Sequence, residues 1–312
     1  MMILCVNLNA AIDKTVVVDR FELGKIHRPE MAKALAGGKG CNVARALHTL
    51  GEKPVVTGWV GGTAGQFIEQ SLQAEGIGTD LVQTGLESRT CLSIVDDETQ
   101  VITEVYERGK ALPAENVAEF IMHFKAIIGE YAAVTLSGSI PPGVPDDIYN
   151  RLITIAKAAG KRVFLDASKG ALVKGVQAKP YLIKPNASEV EVLVEKSLSG
   201  LPDYARAADQ VAKQYETIVL LSLGGDGAIV ADGQSVWHIQ NPKVDVLSAV
   251  GSGDCLVGGV VHGYLQGLDF EKMVVSGVAA GTANTLRLGA GQFDLRDYET
   301  LLGQVVVTKV TL

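Results

Sequence analysis

Aromatic side chains are scarce in this chain, where Phe, Trp and Tyr together make up 5% of 312 residues. Cysteine is scarcer: Cys5, Cys41, Cys91 and Cys255 are scattered and form no Cys-x-x-Cys pair. That spacing excludes a thiol-redox motif or a disulfide framework and predicts reduced thiols in a cytoplasmic protein. The five histidines have no metal-ligand spacing, which speaks against a zinc site. Clustered Lys and Arg are missing too, and the formal net charge is −7, so a nucleic-acid partner is not expected. No apolar run reaches the length of a membrane span; the strongest, 217–223, breaks at Gly224-Gly225. The N-terminal Met1-Met2-Ile3-Leu4-Cys5-Val6 lacks a basic stretch and runs into Asn7 and Asp13, as a buried first strand does and a signal peptide does not.

What the chain does have is glycine, 35 of them, among a 47% hydrophobic content rich in small and β-branched residues. Short apolar runs at 3–7, 54–60, 132–136, 162–165, 181–183, 217–221 and 228–230 alternate with helix-like stretches at 42–50, 65–75, 114–128, 146–159, 187–194, 204–215, 254–266 and 271–287. Strands apolar on both faces, separated by helices, predict an α/β fold with a mostly parallel central sheet covered on both sides. Two segments, 13–36 and 88–108, are polar, β-branched and without helical period. They read as antiparallel β excursions forming one small lid on a single domain spanning 1–312. An exposed β lid of this kind pairs readily with its twin, so a homodimer through the lid is expected.

Glycine loops at strand ends carry the chemistry. Gly37-Gly38-Lys39-Gly40-Cys41-Asn42 opens a helix, and glycines let a ligand approach backbone N–H groups at a helix start. It is not a Walker A loop, and a Gly-rich turn with a solvated Lys is the plainer alternative. In Val250-Gly251-Ser252-Gly253-Asp254, an apolar strand end meets Gly-Ser-Gly and then a helix beginning with Asp. The N–H groups from Gly251 to Asp254 offer an anion nest, and Asp254 beside it is placed as a general base for phosphoryl transfer. A helix-capping Asp is the competing reading. Lys184-Pro185-Asn186-Ala187-Ser188-Glu189 puts an amide and a carboxylate on one first helical turn, suited to hydrated Mg²⁺ near phosphates, with Glu189 acting through water, or simply to a capping box. Ser222-Leu223-Gly224-Gly225-Asp226-Gly227 is either a nucleotide contact or a hairpin. Such loops at strand ends converge on one crevice in open α/β sheets.

In their order along the chain, these motifs resemble the ribokinase-like (PfkB) carbohydrate kinase family from end to end. Residues 37–46 look like its N-terminal signature and 245–259 like its C-terminal one, with Ser252 where Ala is usual. The resemblance implies an ATP-dependent sugar kinase using Mg²⁺, with Asp254 as base among Gly251, Ser252 and Gly253. It implies that Asp13, Gly38 and Asn42 hold sugar hydroxyls, and that Lys39, Arg28 and Arg89 serve a substrate phosphate. Lys184, Asn186, Ser222, Gly224, Gly225 and Gly227 would face ATP, with Asn284 near the adenine. Asn7-Leu8-Asn9-Ala10-Ala11-Ile12-Asp13, Lys184-Pro185-Asn186 and Ser137-Gly138-Ser139-Ile140-Pro141 look like the hexose-phosphate branch of tagatose-6-phosphate kinases and 1-phosphofructokinases. Residues 61–68 and Arg89-Thr90-Cys91 look more like the former; 1-phosphofructokinases tend to carry Asn-x-Lys where this chain has Cys91-Leu92-Ser93. A catalytically silent sensor of sugar phosphate or nucleotide is the alternative outside the enzymes.

Overall fold

Alternation of apolar residues along the short strands resolves into two cores, one on each face of a ten-stranded sheet. The computed structural model describes residues 2–312. The sheet order is Val306–Val310, Val236–Gln240, Ala228–Ala231, Ile218–Ser222, Leu182–Ile183, Arg162–Asp166, Ala133–Ser137, Met2–Val6, Lys53–Thr57, Gly78–Thr79. From Gly78–Thr79 through Ile218–Ser222 every pairing is parallel, and the remaining strands add on antiparallel. Leu4, Val6, Leu136, Leu165 and Val219 point to a layer holding Phe120, Phe124, Tyr149 and Leu152. Their neighbours Ile3, Cys5, Phe164, Leu182 and Leu220 point the other way, onto Val43, Leu47, Val257, Val260 and Val278. Each of the larger side chains, fully buried, contributes roughly 1.5–3 kcal/mol from removal of apolar surface from water. The expected mostly parallel sheet between two helical layers is therefore what forms.

The apolar run at 54–60 is not one strand. It splits into Lys53–Thr57 in the main sheet and Trp59–Gly61, which pairs with Val82–Thr84 in a separate ribbon. Gly58 makes the break at φ 155°, and a Cβ there would lie 2.0 Å from the Asn7 carbonyl oxygen, a contact no other residue tolerates. The helices Lys169–Val176 and Leu295–Leu302, the strand Val236–Gln240 and the edge strand Val306–Val310 complete the molecule beyond the elements expected.

Segments 13–36 and 88–108 do merge into one sheet, ordered Met31–Gly37, Ala11–Val18, Arg89–Asp96, Ile102–Tyr106. Each hairpin is antiparallel internally, but the two join through a parallel pairing that sets Asp13 opposite Cys91. Each segment is thus an antiparallel excursion, and the seam between the two is parallel. Both leading strands leave the same end of the body, so they lie side by side in the same direction. No helix among the described residues is long and apolar enough to cross a membrane.

Candidate active site

The carboxyl ends of the parallel strands define the crevice. Asn7 follows Met2–Val6, Gly138 follows Ala133–Ser137, Asp166 closes Arg162–Asp166, Lys184 follows Leu182–Ile183, and Ser222 closes Ile218–Ser222. The lid overhangs one side. Its inner face, including Asp13, Thr15, Cys91 and Ser93, lines a cavity shared with Asn42, Arg45 and the loop at 288–290.

Asp254 lies on the first turn of Ser252–Leu265, but it does not cap that helix. The cap is Gly251, in the left-handed region at φ 83°. A side chain there would meet Ala290 Cα at 2.6 Å, so the loop at 289–291 rests directly on the turn. Asp254 is 5% exposed, and Asn42 Nδ2 donates to its Oδ2 at 2.8 Å. Burial first, and then the negative charge of Asp166, push the carboxyl up to about 7 against the opposing pull of Lys39, Asn42 and Lys184. The expected nest is smaller than four amides. Those of Ser252 and Asp254 donate to the Ala249 and Gly251 carbonyls. The amides of Gly251 and Gly253 make no hydrogen bond among the described residues. Lys184 Nζ lies 3.6 Å from where a Cβ on Gly253 would stand, next to those amides.

Three side chains given no role from the sequence, two of them (Asn7 and Arg45) inside its motifs, complete this centre. Asp166, 1% exposed, accepts from Lys39 Nζ at 3.1 and 3.2 Å and lies 3.4 Å from Lys184 Nζ. Both cations are thereby held at the base of the crevice beside Asp254. Arg45 donates to Asn42 Oδ1, to the carbonyls of Ala36 and Ala290, and to the Glu75 carboxylate, tying helix, lid and loop together. Asn7 Nδ2 donates to the Gly37 carbonyl at 3.0 Å and fixes the glycine loop to the first strand. The signals were an acid ending the apolar strand at Asp166 and the three-residue spacing that puts Asn42 and Arg45 on one helical face.

The other expected residues fall into separate groups. Asp13 faces the cavity within hydrogen-bond reach of the Gly38 amide and the Cys91 thiol, its carboxyl raised chiefly by burial. Lys39 belongs to the Asp166 centre and does not line the recess that contains Arg89. Arg89 donates to the carbonyls of Asn9 and Glu107. Arg28 is exposed on the lid loop and joins no hydrogen bond or ion pair among the described residues. On the opposite flank, Asn186, Ser222 and Gly224 line one depression with Tyr204. Gly224 and Gly225 belong to the short turn Gly224–Asp226, and Gly227 follows it at the start of a hairpin, so this segment is a hairpin that also borders the crevice. Asn186 and Glu189 form a capping box, with Glu189 Oε2 accepting from the Asn186 amide at 2.9 Å. No cluster of three or more acidic, His or Cys side chains suited to a metal occurs among the described residues. Asn284 is fully buried; its amide donates to the Gly289 and Gln292 carbonyls and so braces the loop beneath the crevice wall.

A buried carboxylate beside free helix-start amides, two lysines and a β lid defines a phosphotransferase of the α/β class. Residues 6–296 match the pfkB family carbohydrate kinase model, and the chain belongs to that family. It is an ATP-dependent sugar kinase. Among solved structures, a possible 1-phosphofructokinase from Thermotoga maritima is 28% identical with a TM-score of 0.89, each chain covered over 100%. Phosphofructokinase-2 from Escherichia coli in complex with substrates and products is 26% identical with a TM-score of 0.90, over 97% of this chain and 99% of that one. A putative phosphofructokinase from Staphylococcus aureus is 28% identical with a TM-score of 0.84, over 99% of both. The fold is the expected ribokinase-like one.

Proposed function

We propose that this chain transfers the γ-phosphoryl group of ATP to the free primary hydroxyl of a ketohexose monophosphate, giving the 1,6-bisphosphate, with tagatose 6-phosphate as its substrate. The observation that carries this reading is the Asp254 carboxylate, held by Asn42 next to the free amides of Gly251 and Gly253. Asp254 takes the proton of the C1 hydroxyl as that oxygen bonds to the γ-phosphorus; the bond to the β,γ-bridging oxygen breaks and ADP leaves. The two amides, Lys184 and Lys39 stabilise charge on the phosphoryl group in transit. Asp13, Gly38 and Asn42 take sugar hydroxyls, and Arg89 takes the existing phosphate. Asn186, Ser222 and the 224–227 turn line the nucleotide side.

Mg²⁺ is part of the same proposal. A nucleotide-borne Mg²⁺ keeps several waters and takes most other ligands from phosphates, so a site without a carboxylate cluster fits it. Glu189, with one oxygen left free by the capping box, would hold it through water, and the ion would neutralise charge on the β- and γ-phosphates. Four buried free cysteines suit a reducing, cytoplasmic setting. Exposed Met31, Val105 and Tyr106 on the lid support pairing of two copies there.

The preference for tagatose 6-phosphate rests on the resemblance at 61–68 and Arg89-Thr90-Cys91, and Cys91 and Ser93 do face the cavity. Fructose 1-phosphate is the second reading, favoured by the full-length match to the Thermotoga protein. ADP release with tagatose 6-phosphate, fructose 1-phosphate and fructose 6-phosphate decides between them. We expect the highest kcat/KM for tagatose 6-phosphate; a tenfold higher value for fructose 1-phosphate selects the second reading. No release with any of them, despite ATP binding, selects a silent sensor. Asp254→Asn is expected to bind ATP normally and lose turnover by roughly three orders of magnitude or more, since base, position and field act as one unit.

A further inference from the structure

A second recess opens beside the cavity under the lid. Its walls include Asn9, Glu87, Arg89, Gly109, Lys110 and Pro141. The Arg89 side chain packs along Gly109, its Cδ 3.6 Å from the position of a Cβ there, so the guanidinium lies next to the residue that precedes Lys110. Three of its N–H groups are spent on the Asn9 and Glu107 carbonyls, which fixes its orientation and leaves the others free. Lys110 makes no hydrogen bond or ion pair among the described residues.

Two carboxylates stand nearby, and backbone amides fix the orientation of each. Glu87 accepts from the amides of Thr63 and Ala64 at the start of the helix Gly62–Ala74. Glu107 accepts from the Thr90 amide. Arg89 and Lys110 therefore share one recess, with Lys110 exposed and unpaired among the described residues and the carboxylates of Glu87 and Glu107 held in place by backbone amides, so an anion that enters meets two cationic donors. The recess adjoins the loop at 138–141: Asn9 Nδ2 donates to Ser139 Oγ at 3.0 Å, and Gly138 touches Lys39 of the catalytic centre. A sugar lying along that line would present one end to Asp254 and the other to Arg89.

We propose that Lys110 is a specificity-determining residue that, with Arg89, holds the phosphate already carried by the sugar. This rests on the reading of the chain as a hexose-phosphate kinase. A phosphate monoester is close to a dianion at neutral pH, and one guanidinium neutralises half of it; Lys110 supplies the second charge. Its effect is selection of phosphorylated over free hexose.

The test uses the whole protein with Lys110→Met and Lys110→Arg. Calorimetry measures binding of tagatose 6-phosphate, fructose 1-phosphate and the two unphosphorylated sugars, and steady-state assays measure KM for each hexose phosphate and for ATP. Lys110→Met is expected to weaken hexose-phosphate binding by about tenfold, leave KM for ATP unchanged, and leave free-sugar binding unchanged. Lys110→Arg restores most of the loss. Wild-type affinity for both hexose phosphates in Lys110→Met overturns the proposal, as does an equal loss for the unphosphorylated sugars, which would mark a disturbed fold. Binding of both hexose phosphates without turnover in the wild type would defeat the kinase reading alone, and the calorimetry would still decide the role of Lys110.

Discussion

Asp254 and Asp166 are two buried carboxylates with opposite neighbours, and the contrast sets the pH behaviour of the centre. Asp166 sits between two ammonium groups, whereas Asp254 accepts from one neutral amide and feels Asp166 as a like charge. A base whose carboxyl is raised must lose its proton before it can work, so kcat/KM is expected to rise with pH through about 7 and level off above it. Asp166→Asn removes the like charge and frees Lys39 and Lys184 to act on Asp254 alone. Its acid limb should therefore move to lower pH, whatever happens to the plateau rate. A limb that stays in place in the pH–rate profile of Asp166→Asn would show that some other group titrates. Asp254 and its glycines were legible because they form a contiguous pattern. Asp166, Arg45 and Asn7 were not, since each acts through partners brought close by the fold: Lys39 lies far upstream of Asp166, and Glu75 and Ala290 meet Arg45 only in three dimensions.

The helix that begins at Asp254's turn is positioned by its packing on Phe270–Thr285, and both are built of small residues so that their backbones approach. A Cβ on Gly259 would lie 2.4 Å from the Ser276 carbonyl oxygen and 2.8 Å from Gly277 Cα, neither of which can swing aside. Gly259→Ala is expected to cost about 1–3 kcal/mol by overpacking, lowering Tm by about 2–4 °C per kcal/mol. Gly303→Ala, where nothing lies within 4 Å, serves as the control and should stay within about 0.5 kcal/mol. Equal melting temperatures for the two variants would refute this account of the helix pair. At this scale the chain was largely readable: the helices and parallel strands follow from apolar runs and glycine punctuation. The lid's parallel seam was not, because hairpin patterns report pairing within each hairpin and say nothing of how two hairpins meet. Nor was the break at Gly58, where the deciding contact is the Asn7 carbonyl, far away in sequence.

The whole molecule joins a three-layer body to a lid whose base packs on it, Ala36 and Ile12 meeting the cluster of Ile68 and Leu72, and whose far end stands clear. Lys33 on the lid donates to Gln292 on the loop over the crevice at 3.2 Å, and Arg45 holds Ala36 at the lid's base. Beyond these, the lid ends in segment 19–30, tied at its start by the Phe21 amide to Asp96, by the Glu98 amide to the Asp19 carbonyl and by Arg20 to Glu98, with its tip open at Leu23 (91% exposed) and Ile26 (84% exposed). Such a segment is where a protease cuts first. Trypsin has Arg20 and Lys25 available there, whereas Arg28 precedes Pro29 and resists cleavage. Under the proposed function the lid closes over the sugar, and under the proposed pairing it also meets a second lid. Limited proteolysis separates the two. Closure predicts that a hexose phosphate with a non-hydrolysable ATP analogue slows cleavage at Arg20 and Lys25 severalfold at fixed protein concentration. Pairing predicts that cleavage of the unliganded protein slows as protein concentration rises, with an accompanying shift in sedimentation. Cleavage that ignores protein concentration would sink pairing through the lid, and cleavage that ignores ligands would sink closure, because a lid that neither moves nor pairs has no reason to shield this segment.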